Sequence, residues 1–216
     1  IIGGKKFSVL PTLLISLIGI IENVEKSVST DFKNPGDVVF VIGQDRGELK
    51  ASSYERCFYS ESSYSPLFSA IPTVDLENAM ENYNSLHFAM RSGWISSAHD
   101  ISDGGFGVAI AESAIGGRLG LEIDLSLVKK SALGFFPSDI VQADLITMLM
   151  FSESAGRIIV TVPHVHVNDF YNLFEDDQIA SVGTITNDQK IRFSFKGSEL
   201  VAWDLNELVE KWQTKI

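Results

Sequence analysis

Apolar residues along this chain recur with two periods, and the switches between them mark out the elements. The run Val38-Val39-Phe40-Val41-Ile42-Gly43 is short and β-branched, and it follows a polar turn at Asn34-Pro35-Gly36-Asp37, so it predicts a strand. Further strands are expected over 95–101, 119–125, 157–162, 179–185, 190–195 and 200–203. Residues 52–58 are helix-compatible, and the Ser-, Tyr- and Pro-rich stretch 60–72 reads as a loop. From Val74 the spacing becomes helical: Leu76, Met80, Tyr83, Leu86, His87 and Met90 recur every three or four residues. Asp75 stands at the start of that helix and Gly93 at its end. His87 lies on the stripe and reads as a core or boundary residue. Helices are also expected over 104–115, 139–148, 168–174 and 205–213. Such an alternation gives an α/β (α+β) fold, a layered mixed sheet flanked by helices. The closing run of strands excludes a purely parallel doubly wound sheet.

The apolar stretch 7–21 follows Lys5-Lys6 and superficially resembles a targeting segment. Pro11, Ser16 and Gly19 interrupt it, and no small-residue cleavage site precedes Glu22. It is also shorter than the roughly 20 apolar residues of a membrane span. A Leu/Ile-rich strand buried on both faces is the reading it supports. The chain opens at Ile1 without Met, which reads as a processed or excised segment.

Composition narrows the function classes. The 216 residues carry 28 Asp+Glu against 17 Lys+Arg, a net charge of −11. Up to Ser97 there are 8 basic and 11 acidic residues, and beyond it 9 and 17, so neither part hides a basic domain. That disfavours a nucleic-acid binder, whose phosphate affinity comes from Lys and Arg. The single cysteine, Cys57, excludes a disulfide framework and a Cys-rich zinc site, and it reads as a packing thiol in a reducing cytoplasm.

Ser97-Ala98-His99-Asp100-Ile101-Ser102-Asp103-Gly104-Gly105 carries the most chemistry: a strand ends, a polar loop follows, and a helix begins at a glycine pair. Asp103 is placed to cap that helix. Gly104 and Gly105 either serve tight helix–sheet packing or let an anion approach the helix N-terminus. The second use needs compensating cations, because Asp100 and Asp103 would repel a phosphate. Glu112, in a helix apolar nearly all round, needs a partner. Glu153 and Arg157 are expected to pair with each other, or Arg157 with Glu112. His164-Val165-His166 puts two imidazoles on one face of an extended segment, a possible metal pair with no third ligand nearby. Ser97, His99 and Asp100 stand too close in sequence for a hydrolase triad.

The same nine residues, running into the Ala-Glu-Ser helix, resemble the phosphoribosylformylglycinamidine synthases of purine biosynthesis, members of the aminoimidazole ribonucleotide synthetase-like superfamily. Four further segments match in order: Pro11-Thr12 to Val24, Asp31 to Asp37, Phe151-Ser152-Glu153-Ser154 with Arg157, and Val182-Gly183-Thr184-Ile185. Family members often show Gly-Gly-Ser-Glu-Tyr where this chain has Lys50-Ala51-Ser52-Ser53-Tyr54. The resemblance implies a C-terminal portion of an ATP-dependent ligase. ATP phosphorylates the formylglycinamide oxygen, and ammonia from a glutaminase then displaces phosphate to give the amidine. It implies residues 1–30 as the terminal strand region of a preceding N-terminal-type subdomain and 31–216 as the C-terminal domain. It also implies ATP and Mg in the complete enzyme, and as partners the remaining domains, a glutaminase domain or subunit and a ribonucleotide substrate, with no nucleic acid or membrane. No catalytic residue or metal ligand carries over. His99, Asp103, Gly104 and Gly105 are the candidates for substrate or phosphate binding, whereas Glu112, Glu153 and Arg157 belong to the scaffold. A non-catalytic association module and another ATP-using enzyme of the superfamily are the alternatives.

Overall fold

Alternating burial along the strands sorts their side chains onto the two faces of one sheet. The computed structural model describes residues 13–58, 71–128 and 140–214. Within them, strands β1 (Val38–Ile42), β2 (Ser97–Asp100), β3 (Gly120–Asp124), β4 (Ile158–Val162), β5 (Ile179–Thr186), β6 (Lys190–Phe195) and β7 (Ser198–Asp204) pair in the order β2-β4-β1-β5-β3-β6-β7. Every neighbouring pair is antiparallel except β3 with β6. The sheet is therefore mixed, as the strand pattern predicts. The helices are α1 (Ser53–Phe58), α2 (Leu76–Ser92), α3 (Gly105–Gly117), α4 (Leu125–Val128), α5 (Gln142–Phe151), α6 (Val167–Tyr171) and α7 (Leu205–Gln213).

One face is covered across most of its width. Val39, Val41, Ile159, Val182, Leu121, Ile123, Ile191 and Phe193 meet Phe106 and Ile110 of α3, Leu145 and Leu149 of α5, and Leu205 of α7. Each such side chain contributes roughly 1.5–3 kcal/mol by leaving water. The opposite face is covered only in part: Phe40, Ile42, Val160 and Val162 pack under Leu86 and Ala89 of α2 and Phe170 of α6. Beyond β1 that face turns polar, and a groove of about 420 Å³ runs past Glu122, Thr184, Arg192 and Ser194.

Two expectations change. The helix over 76–92 forms, with Asp75 capping Asn78 N–H at 3.2 Å and Gly93 ending it in the left-handed region. Its packed face, however, is Asn82, Leu86 and Ala89, while Leu76, Met80, Tyr83 and His87 are exposed. Asn82 donates to Gln178 Oε1 at 3.1 Å and Ser85 to the Leu173 carbonyl at 3.0 Å. Polar residues with partners thus line the contact, rotated away from the hydropathic stripe. The strand expected over 7–21 is absent where it is described. Leu13, Leu14, Leu17, Ile18 and Ile20 are 84–98% exposed, since no described strand pairs with this stretch. Residues 7–12, and most of the loop expected over 60–72, lie outside the described residues.

Candidate functional site

Three loops meet at one end of the sheet because of strand direction. β1 ends at Ile42 opposite Ile158, where β4 begins, and Asp100 at the end of β2 is paired with the same Ile158. The segment 43–52 after β1, the turn 101–104 after β2 and the segment 152–157 before β4 therefore converge.

Beneath them lies a buried charge cluster. The Arg157 and Asp45 side chains are both 0% exposed, with Nη2 3.2 Å from Oδ2. Asp45 Oδ1 accepts the Ser152 hydroxyl at 2.6 Å and the Gly47 N–H at 2.9 Å. Arg157 Nη1 donates to Ser152 Oγ at 3.1 Å. Burial pushes the guanidinium's pKa down, while Asp45 and Glu48 act to raise it. Glu48, also buried, accepts the N–H and hydroxyl of Thr73, both at 3.0 Å. Arg157 thus pairs with Asp45, and neither Glu153 nor Glu112 is its partner. Desolvation explains the difference: a guanidinium with no exposure needs a carboxylate as deeply buried as itself, and Glu153 and Glu112 are only half-buried. Asp45 and Glu48 were not singled out from the sequence. Their signal is two carboxylates in the Gly-bounded loop Gly43-Gln44-Asp45-Arg46-Gly47-Glu48, directly after a buried strand.

The glycine pair sits over this cluster. Gly104 and Gly105 have φ of 86° and 73°. A Cβ on Gly105 would stand 2.6 Å from the Phe151 carbonyl carbon and 2.7 Å from the Ser152 oxygen. Both glycines are buried against protein. Asp103 does not cap α3: the N-cap is Gly104, without a side-chain cap of its own, and its N–H donates to Glu153 Oε1 at 2.7 Å. A left-handed residue at the cap turns the preceding side chain away, so Asp103 is exposed and makes no side-chain hydrogen bond among the described residues. His99 is held from both ring nitrogens, with Nδ1 3.0 Å from Ser113 Oγ and Nε2 3.4 Å from Glu112 Oε2. That supplies the partner Glu112 needs.

The other candidates fall elsewhere. His164–His166 is a 3-10 turn rather than an extended segment, and His166 stacks on Trp94 with ring centres 6.0 Å apart. Among the described residues, no three His, Cys, Asp or Glu side chains converge to hold a metal. Cys57 is exposed, not packed, because α1 buries no residue. Ala51 stands at φ 62°, where the family resemblance places a glycine. No described helix is long and apolar enough to cross a membrane.

The end of the sheet is acidic and shallow. Asp100, Asp103 and Glu153 accompany the buried carboxylates, and the hollow between Gln44, Arg46, Asp75 and Gly156 holds only about 20 Å³. Ligand pockets usually offer about 300–1,000 Å³. An apolar groove of about 360 Å³ lies instead between α3 and α7, lined by Val108, Ile115, Trp203 and Trp212.

Comparison with known proteins adds to this geometry. The family described as AIR synthase related protein, C-terminal domain, matches residues 34–196. Phosphoribosylformylglycinamidine synthase subunit PurL of Limosilactobacillus reuteri is 30% identical over 206 residues, which is 95% of this chain and 24% of that protein. The same subunit of a Thermoanaerobacter species is 29% identical over 99% of this chain and 26% of its own length. The chain thus spans about a quarter of the curated relatives it matches. Thermotoga maritima PurL complexed with FGAR superposes with a TM-score of 0.70 at 16% identity, over 86% of this chain and 30% of that one. Escherichia coli HypE, a hydrogenase maturation protein, superposes with a TM-score of 0.54 at 14% identity, over 83% of this chain and 52% of that one. At such identities the likeness establishes the fold alone.

Proposed function

This chain belongs to the AIR synthase related protein, C-terminal domain family, and from that premise we propose that it is the C-terminal part of a phosphoribosylformylglycinamidine synthase. In that reaction the γ-phosphoryl group of ATP passes to the formylglycinamide oxygen. Ammonia released from glutamine then attacks the activated carbon, forming the C–N bond of the amidine as phosphate leaves with the oxygen. Relatives of the same fold solved with ATP, ADP and AMPPCP support the nucleotide part of this reading, and a PurLQS structure supports work in a multi-subunit enzyme.

The observation that carries the proposal is the joining of a family motif to an incomplete site. His99, Asp103, Gly104 and Gly105 are its substrate-side candidates. Only Asp103 leaves its side chain free in solvent, and it offers an acceptor to ribose hydroxyls or to a cation between it and a phosphate. Gly104 and Gly105 shape the loop, and His99 braces it against α3. Among the described residues no three His, Cys, Asp or Glu side chains form a magnesium site, and in this reading the metal ligands and phosphate-binding cations are supplied by other domains. Residues 1–30 then belong to the preceding subdomain, whose sheet would cover the bare aliphatic run of 13–21. A cytoplasmic enzyme with a glutaminase partner follows from the same reading. Incubated with ATP, formylglycinamide ribonucleotide and ammonia, the 216-residue chain is expected to release no phosphate and form no amidine. Amidine formation by the chain alone would overturn the proposal.

A further inference from the structure

Glu153 lies between α5 and β4, and one of its oxygens reaches both neighbouring loops. Oε1 accepts the Gly104 N–H at 2.7 Å and the Ser53 N–H at 2.8 Å. The first donor is the N-cap of α3, which has no side-chain cap, and the second is the first residue of α1. The backbone adds a third tie, since the Glu153 N–H donates to the Glu48 carbonyl at 3.1 Å. Next to Gly104, Gly105 rests on the main chain of Phe151 and Ser152, with no room for a Cβ. The turn is thus held from below by backbone and from the side by one carboxylate. Bonds from N–H groups to an ionised acceptor are short and about twice as strong as neutral ones.

We propose that Glu153 is a positioning residue for the candidate site: its carboxylate fixes the turn carrying Asp103 and couples it to the segment that opens α1. The inference rests on the reading above that this turn faces substrate. What Glu153 supplies is an acceptor in the right place, not a negative charge for chemistry. An amide oxygen can accept the same two N–H groups, so Glu153→Gln keeps the clamp and Glu153→Ala removes it.

The test uses the intact enzyme that contains this domain, with steady-state kinetics and hydrogen exchange on wild type, Glu153→Gln and Glu153→Ala. Glu153→Ala is expected to speed exchange in both segments, 50–56 and 101–106, and to lower kcat/KM by about tenfold or more while the enzyme stays folded, as a misplaced binding group does. Glu153→Gln is expected to stay within about threefold of wild type. The inference is overturned by loosened loops with unchanged kinetics in Glu153→Ala, or by Glu153→Gln as damaged as Glu153→Ala, which would mean that the charge itself acts. A wild-type enzyme with no ligase activity would instead defeat the proposed function, and exchange that rises in only one loop would overturn the coupling whatever the kinetics.

Discussion

Two arginines of this sheet each face an aspartate, in opposite surroundings. Arg157, beside β4, and its Asp45 have side chains with no exposure, whereas Arg192 on β6 and Asp188 are 26% and 44% exposed at 2.6 Å. The surface pair has the shorter contact and the smaller consequence, because water screens both charges and compensates either partner's loss. The buried pair is not a strong source of stability either, since desolvation offsets most of its attraction. Its importance lies in what happens when half of it is removed. The end of the sheet where three loops meet tolerates little; the β6–β7 end tolerates much.

Arg157→Met should show the largest effect. It leaves Asp45 and Glu48 buried without their cation and is expected to lower unfolding free energy by about 3–5 kcal/mol in urea titrations. Arg192→Met should cost far less, because water screens the surface pair, and equal losses in the two variants would break the contrast. Gly105→Ala comes next, at about 3 kcal/mol, because it combines a left-handed backbone with a clash against main chain that cannot rotate away. At the same end, Ala51→Gly should stabilise by roughly 0.5–1 kcal/mol, since φ 62° strains a residue with a Cβ. A loss there would mean that the strain is compensated locally.

The smallest effect concerns acid. Hydrogen bonds from Arg192 and then Thr186 hold the Asp188 carboxyl below its ordinary 3.8. A folded-state value depressed in this way favours folding above the unfolded value, and the contribution disappears as pH falls through the folded one. The stability gap between wild type and Asp188→Asn should therefore be small and steady at neutral pH and close below about pH 4. With Asp188 nearly half exposed, a gap that widened on acidification would show the sign to be wrong.

Much of the fold was legible because it rests on local pattern. The β-branched run at 38–42 and the Asp75–Gly93 frame of α2 each state their element within a few residues. The site was legible only where its logic is local. The glycine pair stood out, but the carboxylate that binds the N-cap residue of α3 is Glu153, separated by 49 positions from Gly104, and no cap rule reaches that far. The partner of Arg157 is likewise distant, in a loop whose burial appears only once β1 and β4 pair. On α2, Asn82 and Ser85 took the packed face because their amide and hydroxyl find acceptors across the contact, which hydropathy does not register. The apolar stretch at 13–21 reads as a strand, yet strand formation requires a partner that the described residues do not supply.

The central claim is that the meeting place of the three loops is the working side of this domain and the β6–β7 end is not. Asp103 tests it most directly, because its exposed carboxylate makes no hydrogen bond among the described residues, so removing it disturbs no internal contact. In the intact enzyme, kcat/KM for the ribonucleotide should fall about tenfold or more in Asp103→Asn with an unchanged Tm, and stay at the wild-type value in Arg192→Met. Full activity in Asp103→Asn, or a loss confined to Arg192→Met, would contradict the account.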